Sequence, residues 1–255
     1  GLTNTAYEQA AREIRLGNPN VTWETALKQN YGIDAYFFDD RLRMSVDYFI
    51  EKRKDILIQR ATIPSLIAMG GGILPVVNMG KVNNNGYEID LKWNDKVKDV
   101  SYFVNANVSY AKNKIIFQDE VEPNEPYQWR TGQEVGARFG YVALGFYNKD
   151  DFNADGTVKD NLPQPTAKVY PGDVKYADLN GDNVIDNDDQ KKIGNPKRPA
   201  YTFGLNFGAE YKGFFASMNW TGVAECDIMM SNTYRDPFFN KQLGGTFYQY
   251  LVDGR

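Results

Sequence analysis

Five oxygen-bearing side chains recur at short intervals in the segment Asp178 to Asp189, DLNGDNVIDNDD. Counted from Asp178 as position 1, Asp178, Asn180, Asp182 and Asp186 stand at positions 1, 3, 5 and 9, and Asp189 closes the segment at position 12. A hard cation takes about six to eight oxygen ligands, and a tight turn brings alternate side chains to one centre, so this spacing predicts a Ca²⁺ loop. The backbone carbonyl of Val184 is the expected ligand at position 7, with Ile185 next to it as the inward apolar anchor. Position 6, usually glycine, is Asn183, which tolerates left-handed backbone better than other non-glycine residues. Position 12 is aspartate rather than glutamate, which weakens the case for bidentate coordination. The competing reading is an Asx-rich turn whose side chains bond their own backbone. A second acidic stretch, Asp151 to Gly156, starts like such a loop, but Lys159 and Leu162 fall where ligands are needed, so it reads as a surface turn.

Composition excludes other chemistry. The chain has no histidine, so a Ser-His arrangement or a zinc-His centre cannot be built from it. Asp and Glu are plentiful, yet no pair is placed by a glycosidase motif, and an enzyme is not expected. Cys226 is the single cysteine, so no internal disulfide forms. A net charge of −4 without a basic cluster gives no electrostatic reason to expect nucleic acid. No secretion signal is recognised at Gly1, and no run of about 18 apolar residues suggests a transmembrane helix. At 255 residues the chain suits one large β domain or two smaller ones, and its Tyr, Phe, Gly and Asn content leans towards strands and turns.

The elements that position the acidic loop follow from periodicity. Thr5 to Leu16 reads as a short helix, stopped by Gly17 and Pro19. After it the period becomes two. Leu27, Tyr31, Ile33, Ala35 and Phe37 share one face of a strand. Leu42, Met44, Val46, Tyr48 and Ile50 share one face of the next, across a hairpin at Asp39-Asp40. Two further runs set Tyr87, Ile89, Leu91 and Trp93, then Tyr102, Val104, Ala106, Val108 and Tyr110, against polar residues, with a short turn at Asp95 to Asp99 between them. Two more, Tyr201 to Tyr211 and Phe214 to Thr221, turn at Lys212-Gly213. Each run is about ten residues, longer than the usual five or six of a soluble strand.

Short and long connections alternate. In an up-and-down antiparallel sheet this places every short turn at one end and every long loop at the other, the layout of an outer-membrane barrel with short periplasmic turns and long extracellular loops. The apolar faces would then meet outer-membrane lipid. Tyr36, Phe37, Phe38, Trp93, Tyr211, Phe214 and Phe215 would form the periplasmic aromatic girdle. The fold class expected is all-β, an antiparallel up-and-down transmembrane β-barrel segment of about six strands. Residues 1–23 lead in with the short helix. Residues 24–223 carry the strands, with extracellular loops at 57–82 and 112–199, and residues 224–255 begin a further extracellular loop. Six strands do not close a barrel, and open edges in lipid leave costly unpaired backbone groups, so the chain is expected to be part of something longer. The alternative is a soluble secreted β-sandwich, stabilised by calcium and binding glycans, whose apolar face is its core.

Several motifs resemble one family in order. Asn18-Pro19-Asn20-Val21-Thr22-Trp23-Glu24 is similar to the strand-entry motif of SusC/RagA TonB-dependent outer-membrane transporters of Bacteroidetes. Phe37 to Leu42, Asp47-Tyr48-Phe49 with Lys54-Asp55, Gly80 to Glu88, Gly172 to Tyr176, Asp178 to Asp182 and Ile193 to Pro196 continue the resemblance. It covers the chain from Asn18 to about Ile228. The resemblance implies a segment of the C-terminal half of a 22-stranded barrel in the cell outer membrane. It also implies nutrient import (glycans or peptides) driven by TonB through parts of the protein not in this chain, under a cap formed by a SusD-like surface lipoprotein. The plug and TonB box are not recognised in this sequence.

Three further features carry weaker expectations. Gly70-Gly71-Gly72 lacks the lysine and helix of a phosphate cradle and reads as a turn-rich loop tip. Tyr127, Trp129, Phe139 and Tyr147 either stack on a sugar or pack the loop. Arg41, Arg43, Asp47, Glu88 and Asp90 are expected to face the lumen, along the substrate path or against the plug.

Overall fold

The computed structural model describes residues 17–62 and 74–230. The helix expected at Thr5 to Leu16, the glycines Gly70 to Gly72 and the loop after residue 230 lie outside the described residues. Four long strands come first: β1 (Thr25–Phe37), β2 (Leu42–Ile58), β3 (Val77–Val97) and β4 (Val100–Phe117). Six short ones follow: β5 (Arg138–Gly140), β6 (Ala143–Phe146), β7 (Gln164–Pro165), β8 (Val174–Tyr176), β9 (Val184–Ile185) and β10 (Lys191–Gly194). Two more long strands, β11 (Tyr201–Tyr211) and β12 (Phe214–Ala224), complete the described order. The long strands form one antiparallel sheet in the order β1-β2-β3-β4-β11-β12, each hydrogen-bonded to the next long strand of the chain. The six runs of period-two alternation are these six strands.

Register carries the alternation across the whole sheet. Tyr31, Tyr48, Tyr87, Tyr110 and Tyr201 fall in a single row, each opposite the next. Tyr87 and Tyr110 have ring centroids 5.4 Å apart, and Tyr110 and Tyr201 4.5 Å apart. On the turn side of that row lie Ile33, Val46, Ile89, Val108 and Phe203, and two rows further Phe37, Leu42, Trp93, Val104, Phe207 and Met218. On the other side the same face reads Gln29, Ile50, Asn85 and Lys112. The tyrosines therefore mark where apolar surface stops, as interfacial aromatics do at a bilayer boundary. The 11 residues of β11 rise about 34 Å along the strand, or about 26 Å across a bilayer at a tilt of about 40°, the height of an outer-membrane apolar band.

The strands run farther than the alternation predicts. β2 reaches Ile58 and β3 begins at Val77, so the loop expected at 57–82 is confined to 59–76. β4 extends to Phe117, and the second long connection starts there rather than at 112. Lys52, Asn83 and Lys114 sit in one register row of these extensions. Both faces meet water there, so the hydrogen-bonded ladder continues without an apolar period to reveal it. The turn between β3 and β4 is tighter than expected, and the one between β11 and β12 is the expected Lys212-Gly213 pair. β3 and β4 are joined by Lys98-Asp99 alone, with Lys98 at φ +56°, and Lys212 and Gly213 adopt φ of +47° and +87°, as two-residue hairpins require. The first turn is longer than Asp39-Asp40, running from Phe38 to Arg41 with Phe38, Asp39 and Asp40 all at positive φ.

Between β4 and β11 the chain builds three two-stranded sheets, β10-β5, β6-β8 and β7-β9, the last parallel. Its small core holds Tyr147, Val158 and Ile185, all buried. Two carboxylates tie the insertion down at its base. Asp119 accepts from the Ala61 and Thr62 backbone N–H groups and from the Thr62 hydroxyl, joining it to the loop after β2. Glu120 accepts from the N–H groups of Arg130 and Thr131, at 2.8 and 2.9 Å, and from the Thr131 hydroxyl.

Candidate functional site

The acidic segment Asp178–Asp189 folds as a compact loop around its own carboxylates. Asp178 accepts from Gly181 N–H (2.7 Å) and Asn183 N–H (2.9 Å), and Asp182 accepts from Val184 N–H (2.8 Å). Asp186 accepts from Asp188 N–H at 2.8 Å. Asp189 is fully buried, and its two oxygens accept from Leu179 N–H (2.6 Å) and Asp186 N–H (2.9 Å). Asn183 takes φ +67° and Gly181 φ +80°, which bends the backbone around the carboxylates. Ile185 turns inward to the insertion core, and Val184–Ile185 pairs with Gln164–Pro165. Asn180 directs its amide nitrogen at Asp182 Oδ2, 3.0 Å away.

Among the described residues, no three or more Asp, Glu, His or Cys side chains converge as a metal-holding group. The oxygens are instead turned to N–H groups of the same loop. Its donor set nevertheless suits a hard cation: the side-chain atoms available are carboxylate and amide oxygens, Asn183 has the left-handed backbone of position 6, and Ile185 is anchored. No ion pair neutralises Asp178, Asp182, Asp186 or Asp189 among the described residues.

This loop is docked on the stretch around Pro126–Gln128. Tyr127 Oη donates to the Asp188 carbonyl at 2.6 Å, Gln128 Nε2 to the Asn187 carbonyl at 2.7 Å, and Asn124 Nδ2 to Asp188 Oδ2 at 2.8 Å. Burial first, and the surrounding carboxylates second, raise the Tyr127 phenol above its ordinary value. Of the four aromatics that either stack on a sugar or pack the loop, three pack the loop. Tyr147 lies in the insertion core against Phe152, Phe139 is covered by the Arg130 guanidinium at 4.6 Å, and Tyr127 is engaged by the acidic loop. The second acidic stretch closes on itself, with Asp155 accepting from Thr157 and Asp151 paired to Lys175 at 2.9 Å.

The other face of the wall is polar and divides in two. Register places Asp34, Arg43, Ser45, Asp47, Glu88, Asp90 and Lys92 on β1 to β3. On β4, β11 and β12 it places Asn105, Asn107, Ser109, Thr202, Asn206, Asn219 and Thr221. Asn105, Asn206 and Asn219 form one row, bordering a hollow of about 700 Å³ over Gly204. The charged half follows the expectation for Arg43, Asp47, Glu88 and Asp90. Arg41 does not: it sits in the first turn, donating to the Phe38 carbonyl and pairing with Asp95 at 3.5 Å. Two girdle residues are also corrected. Tyr36 shares a register row with Arg43 and lies under its guanidinium, and Phe215 stacks on Phe103 at 6.5 Å, so both belong to the polar face. Phe37, Phe38 and Trp93 do cluster at the turns, with Phe38 and Trp93 edge-on at 5.9 Å.

At the loop end, Glu134 is 8% exposed and bridges Lys112 and Lys192, both at 3.0 Å. Burial by itself would raise the Glu134 carboxyl, but the two ammonium groups outweigh it and hold it below the usual carboxylate range. Residue spacing gives no sign of this pairing, because it joins β4, the loop at 134 and β10. Asn78 likewise carries no local signal, because its partners Thr22 and Asp55 lie far from it in the chain. Its amide exchanges hydrogen bonds with Thr22 N–H and carbonyl and also reaches the Asp55 carbonyl, fastening the strand-entry segment to β3.

A wall of this kind, with all short turns at one end and a folded insertion at the other, has known counterparts. The profile of the family described as TonB dependent receptor-like, beta-barrel matches residues 2–227. The chain belongs to this family. Its members are outer-membrane receptors rather than enzymes, and the wall is a segment of an outer-membrane barrel. Relatives include the TonB-dependent receptors P3 and P39 of Formosa agariphila. P3 is 31% identical over 77% of this chain and 20% of its own length, and P39 is 27% identical over 80% and 22%. The chain thus spans about a fifth of the curated relatives it matches. Among solved structures, the RagAB peptide importer superposes with a TM-score of 0.60 in its open-open state and 0.56 in its closed-closed state. Identities are 22% and 21%, covering 86% and 82% of this chain and 23% and 22% of the other. The soluble sandwich is overturned by these matches and by the sheet's single continuous face of lipid-type surface.

Proposed function

We propose that this chain is a section of the barrel wall of a TonB-dependent transporter that imports oligosaccharides or peptides across the outer membrane. The transporter draws energy from TonB through parts of the protein outside this chain and is capped by a SusD-like surface lipoprotein. The observation that carries this reading is the segregation of the sheet. Turns of two to four residues lie at one end, and the folded insertion of residues 118–200 lies beyond the tyrosine row at the other. Likeness to the RagAB peptide importer supports a peptide substrate, and glycans are the alternative. Uptake of labelled oligopeptides and oligosaccharides by cells lacking the full-length protein tests it. Loss of one substrate class, restored by the intact protein and abolished when the proton-motive force is collapsed, is the expected result. Unchanged uptake of both classes would refute it.

Within that transporter, Asp178, Asn180, Asp182, the Val184 carbonyl, Asp186 and Asp189 hold Ca²⁺, which stiffens the insertion and, through Tyr127 and Gln128, the stretch that follows. Calcium added to the full-length protein in detergent should slow protease cleavage between residues 178 and 189, and Asp178→Ala with Asp182→Ala should remove that protection. Cleavage indifferent to both calcium and chelator would sink this assignment.

A further inference from the structure

Where the insertion rejoins the wall there is a pocket of about 580 Å³, within the usual size for a small-ligand site. It lies between the polar-face residues Asn84, Ala111 and Asn113 and the segment Pro196 to Ala200. Its charged lining consists of Lys112, Glu134, Arg138, Lys197, Arg198 and Glu225. These charges are not equally engaged. Lys112 pairs with Glu134 at 3.0 Å and Glu225 at 3.5 Å, and Glu134 also takes Lys192, so both carboxylates are answered. Lys197 and Arg198 make no hydrogen bond or ion pair among the described residues. Arg138 donates one hydrogen bond, to the Asp227 carbonyl at 2.9 Å, while its buried Nε has no partner. A buried guanidinium donor left open costs free energy unless something accepts from it.

The free cations stand on a stiff base. Pro196 and Pro199 flank Lys197-Arg198 and fix the backbone angle φ on either side. Asp227 N–H donates to the Pro196 carbonyl at 3.2 Å, and the Asp227 carboxylate accepts from Asn195 N–H, fastening this segment to the continuation of β12. Holding two cations on an ordered segment removes part of the entropy cost of closing them on a ligand. With Glu134 and Glu225 already paired, the lining keeps a net positive charge, and a planar carboxylate matches the guanidinium fork.

We infer that this rim pocket captures a carboxylate of the imported substrate, with Arg198, Lys197 and Arg138 as its donors. The inference rests on the transporter reading and adds to it a preference for acidic cargo. That carboxylate belongs either to a uronic acid in an oligosaccharide or to an acidic side chain in a peptide. Calorimetry on the full-length transporter in detergent separates the two, using trigalacturonate, a terminally blocked Gly-Glu-Gly peptide and neutral maltotriose.

At least one acidic probe should bind, with affinity that falls as salt rises, and maltotriose should not match it. Replacing both cations, Lys197→Gln with Arg198→Gln, should weaken that binding about tenfold or more, and Arg198→Lys should recover only part of it. Failure of both acidic probes to bind, binding unchanged in the double variant, or equal loss for the neutral probe would overturn the inference. Binding failure in a protein that still restores nutrient uptake removes the pocket assignment alone. Intact acidic binding without any uptake removes the transporter reading and leaves the pocket.

Discussion

The wall and the insertion of this molecule are held together by opposite means. In the wall, strands of up to 21 residues satisfy one another's backbone in long ladders, and side chains only sort themselves between lipid and lumen. In the insertion no strand exceeds four residues, and carboxylates take over the backbone N–H groups that a ladder would have used. Among the described residues, the buried large apolar side chains Tyr147, Val158 and Ile185 and the buried acids Glu134 and Asp189 all lie in the insertion, although the wall has far more apolar residues. A barrel wall is one sheet thick and has no interior, so its apolar surface must be covered by lipid, whereas the insertion stands in water and needs a core of its own. Phe49 over Gly86 and Phe203 over Gly222 show how the wall packs instead: an aromatic ring lies across a glycine of the neighbouring strand, where a β-carbon would collide with it.

The largest effect is expected in the wall. Leu205→Arg puts a charge at the middle of the apolar band and should cost about 2–4 kcal/mol, seen as reduced assembly into outer membranes. Asn206→Arg, one residue away on the lumen face, should assemble normally. Equal behaviour of the two would break the assignment of faces. In the insertion, Asp189→Ala leaves the N–H groups of Leu179 and Asp186 without an acceptor in a fully buried place. A local loss of roughly 2–4 kcal/mol is expected. Hydrogen exchange should quicken between residues 178 and 190 while the wall ladders stay protected, and a global change would show that the two regions are not separable.

The smallest effect is the response to acid. The Glu134 carboxyl is held below its ordinary value, so its pairing with Lys112 and Lys192 is fully present above the ordinary glutamate range and is lost as pH falls through the depressed folded value. Protease sensitivity around residue 134 should rise on acidification in the native protein. In Glu134→Gln it should be raised already at neutral pH and change less with acid.

These comparisons also explain what was legible. Alternation at Tyr201 to Tyr211 or Leu42 to Ile50 exists because lipid and water lie on opposite sides of a strand, so it can be read without coordinates. Where β2, β3 and β4 rise above the tyrosine row, roughly 25 Å at β2, both sides are water and the same ladder leaves no trace in hydropathy. The acidic loop was legible as a turn with oxygen ligands in step, and Asn183 does take the left-handed backbone its position demands. That its carboxylates bond their own N–H groups, and that Tyr127 and Gln128 hold it in place, was not.

From the sequence alone followed the six strands, their two faces, the segregation of turns from loops and the family, because each rests on local periodicity or on short motifs. Only the tertiary structure decided the five-tyrosine row, the bridge from Glu134 to Lys112 and Lys192, the Asn78 clasp and the meeting of Arg138 with Lys197 and Arg198. Each of these joins residues far apart in the chain, and such pairings are set by strand register and loop closure, which no local pattern encodes.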